Sequence, residues 1–184
     1  MYLVRHGQTL FNVVFGQTRK DPGIEDPPLT NIGHNQAKEI AEKIRKKKIK
    51  RIISSPYTRA LETSQIVANS LGLPVVIDAD IRERMAYICD IGTKTQILKK
   101  KWPGLDFNNL KDCWWNNTEE PVTDFHRRCG NFRKKMSSVA NNESNLVVTH
   151  WGVILSLTGI KVNNGEIVFF NPHDPHPSLS STWA

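Results

Sequence analysis

The sequence predicts an α/β fold, a three-layer sandwich in which a mostly parallel sheet carries helices on both faces and a small irregular cap. Three observations carry that prediction. Short apolar runs of strand length alternate with stretches of helical periodicity, the order that builds parallel sheets. Two of the runs end directly in a histidine, Val4-Arg5-His6 and Val148-Thr149-His150. The 184 residues suffice for one sizeable core, and no linker, internal repeat or charge block divides them, so one domain over residues 1–184 is expected.

Element by element, Tyr2-Leu3-Val4 reads as a buried strand with Arg5-His6-Gly7 at its end. Between residues 30 and 47 the apolar positions Ala37, Ile40, Ala41 and Ile44 repeat with helical spacing, and the lysines from Lys43 onward suit the negative end of a helix dipole. Arg51-Ile52-Ile53-Ser54 is a second strand. Ser55-Pro56 offers an N-cap and a first-turn proline to a helix that closes near Leu71, with Gly72 as its stop. Residues 74–77 form a third strand, after which the pattern is irregular as far as Pro121, and a cap is placed at about residues 84–121. Thr123 or Asp124 would cap a helix with Phe125, Cys129, Phe132, Met136 and Val139 on its inner face, ending by Asn141 and Asn142. Asn145-Leu146-Val147-Val148-Thr149 is the strongest strand signal, followed by a short helix that ends at Gly159. Residues 165–170 read as a last strand, and residues 171–184, rich in Pro and His, as a tail.

Composition narrows the function classes. With 39% hydrophobic and 23% charged residues the chain is neither disordered nor of low complexity, and no apolar run approaches the roughly 20 residues of a membrane span. The N-terminal Met-Tyr-Leu-Val-Arg-His lacks the basic-then-apolar pattern of a secretory signal, so a cytoplasmic location is expected. Cys89, Cys113 and Cys129 are an odd set without CxxC spacing, which fits reduced thiols. The net charge of +7 attracts anions, whether phosphate esters, nucleic acid or acidic membranes. The basic run at residues 45–51 sits at a helix end without interleaved aromatics and reads as a solvated face, so no nucleic-acid partner is expected. Trp102, Trp114 and Trp115 read as anchors of the cap. His173, Asp174 and His176 are interrupted by proline, and no metal site is assigned to them.

The chemistry follows from position. In open α/β sheets ligands bind beyond the carboxyl ends of the strands. Arg5, His6, Arg59 and His150 would all fall on that rim, where two guanidiniums, two imidazoles and a helix N-terminus suit a tetrahedral dianion. A neutral imidazole among arginines can attack phosphorus while the cations hold the equatorial oxygens. A carbonyl at Gly7 could fix the His6 tautomer. Glu83, in Ile81-Arg82-Glu83-Arg84, is the carboxyl placed to protonate a leaving alkoxide and later to deprotonate water, unless it is a surface carboxylate paired with Arg82 or Arg84. This set needs neither metal nor cofactor, and its partner is a small phosphorylated substrate.

Leu3-Val4-Arg5-His6-Gly7-Gln8-Thr9 with Asn12 is similar to the signature of the histidine phosphatase superfamily, which also holds the cofactor-dependent phosphoglycerate mutases. Pro28-Leu29-Thr30-Asn31-Ile32-Gly33, Ser54-Ser55-Pro56-Tyr57-Thr58-Arg59-Ala60 with Thr63, Ile81-Arg82-Glu83 and Val148-Thr149-His150-Trp151-Gly152 resemble further family blocks in family order. The resemblance spans nearly the whole chain and implies a phosphoglycerate mutase-like fold. By it, His6 would be the phosphorylated nucleophile, Arg5, Arg59 and His150 the phosphate pocket, Glu83 the proton donor, Asn12 an accessory pocket residue and Gln17 a substrate contact. Two departures stand out. Many relatives continue the glutamate block into Gly-x-Trp-Glu-Gly, where this chain has Ala86-Tyr87-Ile88-Cys89-Asp90, and Trp151 follows the second histidine where a small residue is usual. The cap segment resembles an uncharacterised bacterial subgroup. The function expected is phosphomonoester hydrolysis through a phosphohistidine, with a mutase-type phosphotransferase or a catalytically weak phosphate-binding module as alternatives.

Overall fold

The computed structural model describes residues 1–179. Five strands, β1 (Tyr2–Arg5), β2 (Arg51–Ser54), β3 (Val75–Ile77), β4 (Asn145–Thr149) and β5 (Ile167–Phe169), form one sheet in the order β3-β2-β4-β1-β5. The first four run parallel, and β5 joins β1 antiparallel. Each central strand is apolar on both faces because both faces are covered. Leu3, Ile53 and Val147 enter one core with Phe125, Phe132, Met136, Val153 and Leu157, whereas Val4, Ile52, Leu146 and Val148 enter another with Ile40, Ala41, Ile44, Ala60 and Val67. The expected three layers are present.

The helices are α1 (Leu10–Thr18), α2 (Asn31–Ile44), α3 (Thr58–Leu71), α4 (Thr95–Lys101), α5 (Val122–Ser137) and α6 (Trp151–Thr158). Helices α2 and α3 cover one face, and α5 and α6 the other. Three starts differ from expectation. Helix α1 is absent from the sequence reading, since Leu10, Phe11, Val13, Val14 and Phe15 spread over more than half of its circumference instead of along one stripe; Thr9 and Asn12 start it with a reciprocal capping box. Helix α3 starts at Thr58 with Tyr57 as N-cap, leaving Ser55-Pro56 in the loop. Its amide is capped from another segment, by Asp26, whose carboxylate accepts from Thr58 N at 2.8 Å. Helix α5 starts at Val122, after Pro121, so Thr123 and Asp124 lie within its first turn. Gly72 and Gly159 close α3 and α6 in left-handed conformation, as the sequence suggested.

The cap packs through Tyr57, Leu61, Leu98, Phe107 and Trp114, with Trp102 and Trp115 against them. The described part of the C-terminal segment is tied down more firmly than a tail. Arg133 donates to the Asp174 carbonyl at 2.6 Å, and the His176 ring stacks on His126 at 4.1 Å; residues 180–184 of the expected tail lie outside the described residues. Among the described residues no helix is long and apolar enough to cross a membrane.

Candidate active site

Strands β1 and β4 are parallel neighbours in register, Arg5 opposite Thr149. The next residue of each, His6 and His150, must therefore emerge side by side beyond the sheet. Their ring centroids lie 5.2 Å apart, and both residues are buried. The His6 Nδ1 is 2.8 Å from the Gly7 carbonyl. A carbonyl only accepts, so Nδ1 carries the proton and Nε2 keeps its lone pair. The Gly7 amide donates to Thr63 Oγ1. A Cβ on Gly7 would collide with the Gly33 backbone, and one on Gly33 with Gln8, so both positions require glycine for the loop after β1 to lie against α2.

Arg59 leaves the first turn of α3 anchored on one side and lines the cavity with the rest of its guanidinium. Its Nη1 donates to the Cys89 carbonyl at 2.8 Å and its Nη2 to Asp90 Oδ1 at 3.0 Å, while its guanidinium lies over the Tyr57 ring. Arg5 donates from Nη1 to the Val162 carbonyl. His150 Nε2 is 2.7 Å from Ser55 Oγ. Two buried atoms of this group, Arg5 Nε and His150 Nδ1, have no hydrogen-bond partner among the described residues.

Glu83 reaches the same place from the loop after β3. Its carboxylate accepts from the Gly152 amide at 3.0 Å, in the first turn of α6, and from the Arg84 amide at 2.9 Å. The flanking arginines are held elsewhere, Arg84 by Glu119 and Arg82 by Glu120, which Arg128 grips with two nitrogens. Glu83 is therefore not their ion-pair partner.

Electrostatics separates these groups. Burial, then Arg59 and Arg5, hold His6 well below the usual imidazole value, against a small opposing effect of the Gly7 carbonyl. Burial and the same cations do so for His150. Glu83 goes the other way: burial and the Asp90 carboxylate raise it, over the opposing amides of Gly152 and Arg84 and the Arg59 charge. Arg5 is pushed down to about 10, chiefly by burial. The site thus disfavours the charged form of both the imidazole and the carboxyl.

Arg5, His6, Asn12, Arg59 and Glu83 line one cavity of about 570 Å³, and His150 lies directly behind His6. Gln17 does not join them. It sits exposed two residues beyond Phe15, about 200° around α1 from the face that lines the cavity. Asn12 Oδ1 accepts from Thr9 and from Asn164, so its oxygen holds the loop beneath the cavity together. The sequence reading missed Asp90 and Asn164. Both come from irregular segments whose spacing carries no signal.

A mostly parallel sheet with two histidines at adjacent strand ends and arginines around them is an α/β architecture suited to a phosphoryl group. The sequence profile of the histidine phosphatase superfamily (branch 1) matches residues 1–166, and the chain belongs to that family. A probable phosphoglycerate mutase GpmB of Yersinia pestis is 43% identical over 83 residues, a stretch that takes in 45% of this chain and 37% of the relative's length. Similar solved structures include a mycobacterial glucosyl-3-phosphoglycerate phosphatase complexed with VO3 (TM-score 0.61, 22% identity, 91% of this chain and 88% of that one). A phosphoserine phosphatase of Entamoeba histolytica with 3-phosphoglyceric acid has a TM-score of 0.61 at 24% identity, over 90% and 87% of the two chains. Bacillus stearothermophilus YhfR has a TM-score of 0.56 at 27% identity, over 84% and 75%. At these identities the first two are a likeness of fold.

Proposed function

We propose that the protein hydrolyses phosphomonoesters through a phosphohistidine on His6. The observation that carries this reading is the His6 ring itself: buried, its Nδ1 proton held by the Gly7 carbonyl, its neutral form favoured by Arg59 and Arg5, with a raised Glu83 carboxyl lining the same cavity and the His150 ring packed 5.2 Å from it. Nε2 attacks phosphorus, the ester P–O bond breaks, and Glu83 passes its proton to the departing oxygen. The Glu83 carboxylate then takes a proton from water, the water oxygen attacks phosphorus, and the N–P bond breaks to release phosphate and restore both groups. Arg5 and Arg59, which line the cavity, hold the equatorial oxygens throughout, with His150 beside His6 completing the pocket.

Because protein cations and one carboxyl supply the whole set, activity should survive EDTA and vanish in His6→Ala. A screen of diverse phosphomonoesters with both controls tests this. Activity that persists in the variant, or disappears with chelator, rejects it. The matched stretch of a probable phosphoglycerate mutase supports a second reading, intermolecular or intramolecular phosphoryl transfer. Release of inorganic phosphate favours the hydrolase, and transfer of labelled phosphate from one phosphoglycerate position to another favours the mutase.

A further inference from the structure

Beyond its phosphate end the cavity is walled by aromatic rings. Phe11 and Phe15, one turn apart on α1, lie nearly parallel at 5.2 Å and 13°. Tyr87 of the cap stands against both, at 5.4 and 5.0 Å. All three rings line the cavity, together with Pro27, Ala86 and Trp151. Helix α1 is among the most apolar in the chain, yet none of its residues is buried. Tyr87 and its neighbour Ile88 are each 41% exposed. Such a wall gains free energy only when something apolar covers it.

The polar groups nearby offer little to a hydroxyl-rich ligand. Thr9 and Asn164 both donate to Asn12, and Arg84 donates to Glu119 and to the Glu120 carbonyl. The Arg19 guanidinium rests 5.9 Å over Phe15, at the outer end of the stack. A cavity of about 570 Å³ has room for a flat ring system on this wall while a phosphoryl group sits at the base.

Resting on the phosphomonoesterase reading, we infer that the leaving group is an aromatic or comparably flat apolar alcohol. It stacks against Phe11, Phe15 and Tyr87; a polyol such as a sugar or glyceric acid would leave these rings uncovered.

The test compares 2-naphthylmethyl phosphate with glycerol 3-phosphate. Both release a primary alkoxide, so their ratio of kcat/KM reports contacts with the leaving group and not its basicity. The ratio should be about tenfold or more in favour of the naphthyl ester, and Phe15→Ala should lower it by about fivefold, chiefly through KM. Tyr87→Ala, on an exposed loop, should do the same and serves if the helix variant does not fold. Phe169→Ala removes an exposed ring of β5 outside the cavity and should leave the ratio where it was. A ratio near one with His6-dependent hydrolysis of both esters overturns the leaving-group class alone, as does a high ratio that neither ring variant moves. No His6-dependent hydrolysis of either ester overturns the phosphomonoesterase reading beneath it.

Discussion

Glu83 and His6 are shifted in opposite directions by one environment. Burial disfavours charge on both, the arginines further disfavour imidazolium, and Asp90 further disfavours carboxylate. The proposed first step needs the imidazole neutral and the carboxyl protonated. Acid therefore limits kcat/KM only where His6 takes up a proton, well below the usual imidazole range, whereas base limits it as Glu83 loses its proton. The profile should show an acid limb below the usual imidazole range and an alkaline limb above the usual carboxyl range. In Glu83→Gln that limb should flatten and the rate drop by about 10² to 10⁴, the usual worth of a general acid; a pH profile with the limb unchanged would contradict the assignment. Arg5, His6, Arg59 and His150 could be read from sequence because each stands at a strand end or in the first turn of a helix, where chain order alone fixes location, and Glu83 because it follows β3 by a short loop. Asp90 could not, since it meets Arg59 only after the cap folds back over α3. Gln17 was misplaced for a related reason: without α1 in view, nothing told which way residue 17 would face.

At the level of elements, two glycines with similar crowding should behave differently. A Cβ at Gly152 would run into the Glu83 carboxylate, the free end of a side chain that can swing away. Gly152→Ala should accordingly fold but displace Glu83 and break its bond to the α6 amide, with kcat lower by about 100-fold, the scale of an ångström of misplacement. A Cβ at Gly33 would meet the Gln8 backbone, which has no such freedom. Gly33→Ala should cost about 1–3 kcal/mol in denaturant unfolding, as overpacking does. Equal stability loss in the two variants would refute the distinction. Strand positions were legible because a sheet covered on both faces writes continuous Val, Ile and Leu runs into the chain. The starts of α1 and α3 were not, the first for want of a polar face and the second because its cap arrives from Asp26, 32 residues away in sequence.

For the molecule as a whole, the same buried imidazoles link folding to pH. The native values of His6 and His150 lie below their unfolded values, so the unfolded chain binds more protons and acid favours it. Their contribution is fully present above about pH 6.5 and is lost as pH falls beneath it, by about 1.4 kcal/mol per pH unit for each ring that stays neutral in the folded state. His176, pushed down to about 4 by burial and by the adjoining His126, acts with the same sign at the C-terminal segment. Urea unfolding at pH 7 and pH 5 should show this loss, and His6→Asn should reduce its slope; stability unchanged between the two values would contradict neutral, buried histidines. The three-layer architecture was evident in the alternation of strands and helices, but the docking of residues 171–179 was hidden, because Pro and His carry no periodicity and the segment is fixed by Arg133 and by ring stacking from α5.

In the proposed mechanism phosphorus passes through the His6 ring. The direct measurement is to quench the protein with base during turnover of a ³²P-labelled phosphomonoester and map the label. Label stable in alkali, labile in acid, confined to the peptide bearing His6 and missing from His6→Ala is the expected result. Label on another residue, or steady release of phosphate with no covalent label while His6→Ala stays active, would contradict it.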